Sequence, residues 1–407
     1  MKVVFILLNI FVILFAEESL DVNAYIAFDS EYFNNKTNYK QNKSITTIQR
    51  LEIKSKKNNI TKYLSCSAQV DYYDLKESTQ HTHRTFFRLD ELYIEFLYDK
   101  YKLFLGKNKR FWGSLELNNI VDTFNLRELR NNVFDNEKQG AWNTSISYYT
   151  QTGELSLIVK LYEEDQKMAT NQYIFNLLPY GAIYNDNLVT EKTQTYPTVY
   201  IKYSDSVDGE YPLDWSIIFQ HGYDSQRYFT SESNVYLQNA YLVNKVLMYG
   251  TWLLNSNIFK FEVIYADVIS DLQVSDYIHV GIGYEYDMEN IFDLNNNFKI
   301  FSEYYGLYFL EDKPYSDLEL LSIYQNDFFI GLKYGFNDMG DSSILIGSTI
   351  DLDYNEKSFT TKYETRISKN LKLNIDYTYV LPSKNYNTAY KQLGKTQILN
   401  INMKYYF

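Results

Sequence analysis

One pattern recurs along this chain and constrains it more than any motif does: stretches of roughly ten residues in which every second side chain is apolar. In "GELSLIVKLYEE", Leu155, Leu157, Val159 and Leu161 share one side, while Ser156, Lys160 and Tyr162 share the other. "NLKLNIDYTYV" sets Leu371, Leu373, Ile375, Tyr377 and Tyr379 against Lys372, Asn374, Asp376 and Thr378. "SFTTKYETRIS" sets Phe359, Tyr363 and Ile367 against Lys362, Glu364 and Arg366. Successive side chains of a strand point to opposite faces, so each stretch reads as a strand with one greasy and one wet face. The chain ends on such a strand, "LNINMKYYF", with Leu399, Ile401, Met403, Tyr405 and Phe407 opposite Asn400, Asn402, Lys404 and Tyr406.

Such segments begin near residues 22, 43, 60, 84, 101, 141, 153, 195, 212, 241, 258, 277, 298, 326, 342, 357, 371 and 395. Each is long enough to cross a bilayer on a tilt, and together they predict about eighteen strands. If both termini lie on one side of a membrane, tight turns follow even strands and long loops follow odd ones. The tight connections fall at Lys57 to Asn59, Asp99 to Lys100, Gln151 to Thr152, Ser256 to Asn257, Asp338 to Asp341 and Ser368 to Asn370, all after even strands. The longest, 111 to 140, 165 to 194 and 225 to 240, follow odd strands. Tyr354 to Glu356 is short where a long loop belongs, which points to a miscounted strand and makes about sixteen the alternative count.

A soluble β-sandwich or a solenoid also alternates, but either turns its apolar face to a shared core and lacks two classes of turn length. Here the opposite face is charged on many strands: Arg50, Glu52 and Lys54; Lys260 and Glu262; Lys362, Glu364 and Arg366. In a closed barrel that face lines a watery lumen and the apolar face meets lipid. With 5 prolines and 16 glycines the chain has no linker-like stretch, and it reads as one object. Its 42 tyrosines and 26 phenylalanines suit strands and membrane interfaces. The single cysteine, Cys66, rules out an internal disulfide, and a net charge of -12 argues against nucleic acid as a partner. Past residue 20 the best candidate for a spanning helix, "YLVNKVLMYGTWLLN", is broken by Asn244 and Lys245. At the N-terminus, Lys2 precedes an apolar run from Val3 to Phe15 and then Ala16, the layout of a secretory signal peptide over 1–16. Residues 17–407 are then the barrel.

The signal segment, the alternation in an even number of strands and the terminal "MKYYF" resemble the outer-membrane β-barrel proteins of Gram-negative bacteria. The resemblance is to the larger single-chain porins and the alginate-export type of porin. It implies periplasmic termini, outer-membrane lipid around the barrel, and insertion by the barrel-assembly machinery, with Tyr405 and Phe407 in the assembly signal. It implies passage of small solutes and no cofactor. Diffusive porins are often trimers, so a homo-oligomer stays open. The stretch "LDELYIEFLYDKYKLFLGKNKRFWGSLELNNIVDTFNLREL" is similar to a paired-strand "LGK...WG" element of porin-like families. Such families fold the segment that follows back into the lumen, where opposed charges set which solutes pass.

In this chain the segment 111–140 is either inserted or a solvated external loop, and "FWG" favours insertion, because an aromatic pair is costly to leave exposed and glycine suits a turn. The candidate pore and solute-binding residues are Arg110, Glu116, Asp122, Arg127, Glu128 and Arg130. If "NLREL" forms a helical turn, Arg127 and Arg130 share a face and clamp an anion. Inward parity mixes the signs of charge, with Lys102, Arg110, Lys160, Lys260, Lys333, Lys362, Arg366 and Lys372 against Glu52, Glu95, Glu262, Glu285, Glu303, Glu364 and Asp376. That mixture favours a weakly selective diffusive pore over a dedicated exporter or importer of a polymer or hydrophobic compound. A surface adhesin or receptor barrel calls for longer loops. The histidines His81, His83, His221 and His279 are placed by no hydrolytic motif, and "HTH" lacks further metal ligands, so neither an enzyme nor a metal site is expected. One fault in parity stands out: in "RTFFRLDELYIEFLY" the lipid-facing series Leu92, Ile94, Phe96 and Tyr98, carried back, places Asp90 and Arg88 on the lipid side. A bulge near Leu89 would cure it, or the strand already stands above the bilayer there.

Overall fold

The computed structural model describes residues 20–35, 41–75, 82–179, 181–189, 195–269, 273–290, 296–313, 323–383 and 388–407. The signal segment 1–16 and His81 lie outside the described residues. The strands are β1 (Leu20–Asn35), β2 (Lys43–Lys57), β3 (Ile60–Asp71), β4 (Phe86–Tyr98), β5 (Tyr101–Asn108), β6 (Ala141–Tyr149), β7 (Glu154–Lys160), β8 (Ile183–Leu188), β9 (Thr198–Val207), β10 (Leu213–Tyr223) and β11 (Tyr228–Glu232). They continue as β12 (Val235–Asn239), β13 (Leu242–Leu254), β14 (Asn257–Ile269), β15 (Tyr277–Glu289), β16 (Asn297–Phe309), β17 (Asn326–Gly335), β18 (Ser343–Asp351), β19 (Lys357–Ser368), β20 (Leu371–Leu381) and β21 (Thr396–Tyr406). A short helix α1 (Ala389–Leu393) precedes β21.

Among the described residues, 18 strands pair antiparallel in one sheet. The last strand pairs with the first, from Tyr25 opposite Tyr406 to Asn35 opposite Thr396. Closure leaves no edge with unpaired backbone groups, the condition for a sheet to stand in lipid. The all-β up-and-down barrel read from the alternation is therefore the fold, and its count is eighteen rather than sixteen. The short connection 352–356 hides no missing strand, because β18 and β19 pair continuously from Ser343 opposite Glu364 to Ile350 opposite Lys357. The Asp351 carboxylate closes that turn by accepting from the backbone N–H groups of Asp353 (2.9 Å) and Tyr354 (2.6 Å). At the other end, Asn58, Asp99 and Asn255 take left-handed conformations in the tight turns, which asparagine and aspartate tolerate better than most residues.

The outer face is apolar. Leu157, Ile201, Ile282, Ile330 and Ile346 form its middle, and Tyr98, Tyr101, Trp252, Phe259, Tyr405 and Phe407 lie toward the tight-turn end, all exposed on the barrel wall. Aromatic side chains favour the two boundaries of a membrane, where an apolar ring and a polar tip are both accommodated.

The fault in parity has the expected cure. Ser65 faces Glu91 and Cys66 faces Leu89, so Asp90 is an extra residue in β4. The bulge reverses the alternation there: Phe87 points out, 52% exposed, and Asp90 is fully buried inside. Arg88 is carried inward with it.

Three short strands escaped the alternation. β11, β12 and β8 form a separate sheet in that order, with β12 parallel to β8. They belong to the connections 161–197 and 224–241 on the long-loop end, and runs of five or six residues are too short to display a period.

Candidate functional site

The segment between β5 and β6, residues 109–140, runs across the interior to the opposite wall. Its entry is set by Trp112, buried edge-on against Phe124 and Tyr200 with ring centroids 5.5 Å from each. Phe111, by contrast, stays exposed, with the Lys138 ammonium 3.9 Å from its ring centroid. Only one member of the aromatic pair is therefore sequestered. Gly113 follows with φ of 115°, and a Cβ there would stand 2.5 Å from Glu262 Oε1. Only glycine lets the chain turn this close to the wall.

Beyond Gly113 the backbone is held by carboxylates of the wall. Glu262 on β14 accepts from the N–H groups of Ser114 (2.6 Å), Leu115 (3.1 Å) and Val121 (3.1 Å). Glu303 on β16 accepts from Glu116 (2.6 Å) and Leu117 (3.0 Å), and the Tyr305 hydroxyl accepts from Asn118 (3.1 Å). An irregular segment has no ladder to satisfy its N–H groups, so the inward carboxylates take that place. Each such charge-assisted bond contributes about 1.5–3 kcal/mol. Leu115 sits over Gly281 and Gly283 of β15, where a Cβ would come within 2.5 and 2.8 Å of its methyl groups. The wall is hollowed by glycine to receive it.

The other end of the segment is tied to the bulged strand. Arg88 donates to Glu128 (2.6 Å) and Glu137 (2.6 Å), while Asp90 accepts from Arg88 (2.7 Å) and Lys109 (2.9 Å). Phe134 packs between Phe175 and Tyr390 of α1, with both ring centroids 6.1 Å away. A residue of the last long connection thus braces the inserted segment.

The six sequence-predicted residues are distributed over this framework. Arg110 donates to Asn143 (2.8 Å) and Ser145 (3.0 Å) on β6, and its carbonyl accepts from Lys138 (2.9 Å). Glu116 pairs with Lys260 at 2.7 Å and is half exposed. Asp122 pairs with Lys138. Burial raises the Asp122 carboxyl above its ordinary value and lowers the Lys138 amine, each more than its partner's charge offsets. Glu128 accepts from Arg130 at 2.7 and 2.6 Å and from Arg88. Burial alone would raise the Glu128 carboxyl, but the hydrogen bonds and charges of Arg130 and Arg88 outweigh it and hold the carboxyl below its usual range. "NLREL" forms no helical turn: Arg127 bridges antiparallel to Lys138, and Leu129 bridges parallel to Met168. In extended backbone the two arginines part. Arg127 donates to the carbonyls of Val133 (2.7 Å) and Asp135 (3.1 Å), and Arg130 stacks over Phe86 at 3.5 Å. They do not form the joint clamp that a helical turn would make.

The open gap beyond the segment is lined by a different set. A gap of about 320 Å³ separates the far edge of the segment from the wall of β1, β2 and β19 to β21. Asn131, Asn132, Asp135 and Glu137 line one side; Asp29, Lys362, Asn374, Asp376, Asn400, Asn402 and Lys404 line the other. Asp135 and Lys362 approach to 4.0 Å across it. Inward parity had marked Lys362, Asn374, Asp376, Asn400, Asn402 and Lys404 as wet, yet nothing local distinguishes them from other inward residues.

No family model matches the sequence, and no curated protein matches it. Solved structures share the fold. The crystal structure of OccAB1 from Acinetobacter baumannii superposes with a TM-score of 0.58 at 7% identity, covering 96% of this chain and 98% of that one. OccAB4 from the same organism gives 0.56 at 11%, covering 96% and 99%. OccD3 (OpdP) from Pseudomonas aeruginosa gives 0.54 at 8%, covering 96% and 91%. At such identities the likeness is one of architecture, along nearly the whole of each chain.

Proposed function

We propose that this protein is an outer-membrane channel through which ions and small polar solutes diffuse passively, narrowed by its own 109–140 segment. The observation that carries the reading is the span of that segment: hydrogen bonds to Glu262, Glu303 and Tyr305 fasten it to one wall, and its far edge leaves a polar gap at the other. A closed barrel with a charged interior needs no energy source to conduct, and a fixed narrowing selects by size and charge. The full-length likeness to Occ barrels of Gram-negative bacteria supports the outer-membrane address.

Within this reading five of the six loop residues have positioning roles. Arg127 shapes the 131–137 edge through its two carbonyl contacts, Glu128 and Arg130 lock that edge to Arg88, and Arg110 and Asp122 secure the base through Lys138. Glu116, half exposed, adds charge to the lumen. Both signs of charge line the gap, with carboxylates in excess (Asp29, Glu31, Asp135, Glu137, Glu364 and Asp376 against Arg84, Lys362 and Lys404), which favours a weak preference for cations over a strict filter.

The deciding experiment is the conductance of refolded protein in a planar lipid bilayer, with the reversal potential under a salt gradient. Discrete steps are expected. Silence from folded, inserted protein overturns the channel and leaves an anchor for surface loops.

A further inference from the structure

The connection 352–356, short where a long one belongs, ends on a carboxylate that reaches its neighbour. Glu356 is buried, and its Oε1 accepts from the Thr388 hydroxyl at 2.7 Å and from the Ser383 N–H at 2.8 Å. Both donors belong to the connection between β20 and β21, described at 382–383 and 388–395. One oxygen therefore holds that connection at two points, soon after β20 and at the start of α1.

Thr388 is also the N-cap of α1, where its Oγ1 accepts from the Lys391 N–H at 3.2 Å. A hydroxyl has one proton and two lone pairs, so a carboxylate that takes the proton leaves a lone pair for the helix. Five residues make a helix too short to persist unaided. This cap and the burial of Ala389, Tyr390 and Leu393 keep α1 in place.

Tyr390 joins the connection to the narrowing. Its hydroxyl donates to Ser358 Oγ on β19 at 3.3 Å, and its ring meets Phe134, which meets Phe175 in turn. Val133, beside Phe134, is buried in the same apolar cluster. Asn131, Asn132, Asp135 and Glu137, which line the open gap, flank these two residues in the chain. The far edge of the inserted segment is thus clamped where α1 covers it.

We infer that Glu356 is a positioning residue for the narrowing: it latches the β20–β21 connection over the far edge of the inserted segment, so that the width of the gap is set from the long-loop end. Its effect on flow rests on the channel reading; the latch does not. Without the carboxylate, Thr388 and Ser383 lose their common acceptor, α1 lifts, and Val133 and Phe134 leave their seat.

The latch is tested by labelling. Val133→Cys in a Cys66→Ala background puts one thiol in the buried edge, and a water-soluble maleimide should modify it slowly in refolded full-length protein. Adding Glu356→Ala should speed the reaction at least about tenfold, whereas Glu356→Gln, whose amide oxygen still accepts both hydrogen bonds, should stay within about twofold. Rates are compared only in protein with the folded mobility of a barrel on unheated gels, and Thr388→Val, which removes one donor, replaces Glu356→Ala if that variant does not fold. Single-channel steps are then recorded for Glu356→Ala, Phe134→Ala and the double variant. Each single substitution should enlarge the step by about half or more, and the pair no further than the larger single effect, because both act through one contact. Unchanged labelling or unchanged steps with Glu356→Ala, equal acceleration by Glu356→Gln, or additive effects of the two substitutions overturns the inference. Labelling as expected in protein that never conducts upholds the latch and rejects the channel reading.

Discussion

Ser114 and Glu262 stand 148 residues apart in the chain, and the backbone N–H of the first donates to the carboxylate of the second at 2.6 Å. With the bonds from Leu115 and Val121, this carboxylate is the main fastening of the inserted segment to the wall. Replacing it with Glu262→Ala strands three N–H groups in the interior, at about 1–3 kcal/mol each. The segment then leaves its seat. Single-channel conductance is expected to rise roughly twofold or more with added flicker, and Gly113→Ala, whose Cβ meets the same carboxylate, should reproduce the effect. Unchanged step size in both variants would show that the segment does not limit flow.

The 4.0 Å approach of Asp135 and Lys362 spans the polar gap. Lys362→Glu removes a positive charge there and adds a negative one, so the cation-to-anion permeability ratio should rise by about threefold. Asp135→Lys should move the reversal potential in the opposite direction. Arg130→Ala, by contrast, alters a side chain committed to Glu128 and Phe86, and should change ion preference less than either.

Glu128 supplies a pH test with a defined sign. Its carboxyl is held below the ordinary value in the folded chain, so its contribution to stability is full above the unfolded value of about 4.3 and fades as pH falls through the folded one. Glu128→Gln should therefore lower the melting temperature by a constant amount from pH 7 to about pH 5 and match the wild type in stronger acid. A difference that instead vanished near neutrality would contradict the ion-pair geometry.

Phe407 is exposed on the outer wall beyond β21, with its N–H on the Ala24 carbonyl at 3.0 Å. Its ring packs on Tyr405 at 5.3 Å but supports no interior contact among the described residues. Phe407→Ala should cost little stability in refolded protein yet reduce the amount of barrel assembled in cells several-fold. Equal loss in both settings would make the residue structural and not a recognition signal.

Much of the architecture is written in the local period. Because a strand alternates its faces whatever it pairs with, the inward and outward sets could be assigned residue by residue, as with Lys362 and Ile367 or Asn402 and Met403. Turn lengths then ordered the strands and set which end bears the loops. Even the fault at Arg88 and Asp90 was legible, since a broken parity in one strand has few remedies besides a bulge. Only tertiary structure decided where the bulge sends those side chains, which is onto Glu128, Glu137 and Lys109. It also decided that Glu262 and Glu303, inward residues like many others, are the ones that hold the segment, and that the open gap lies against β19 to β21. No period encodes these facts. Contacts between residues well over a hundred positions apart depend on how far around a closed barrel each strand lies, and on where an irregular segment finds acceptors for its backbone.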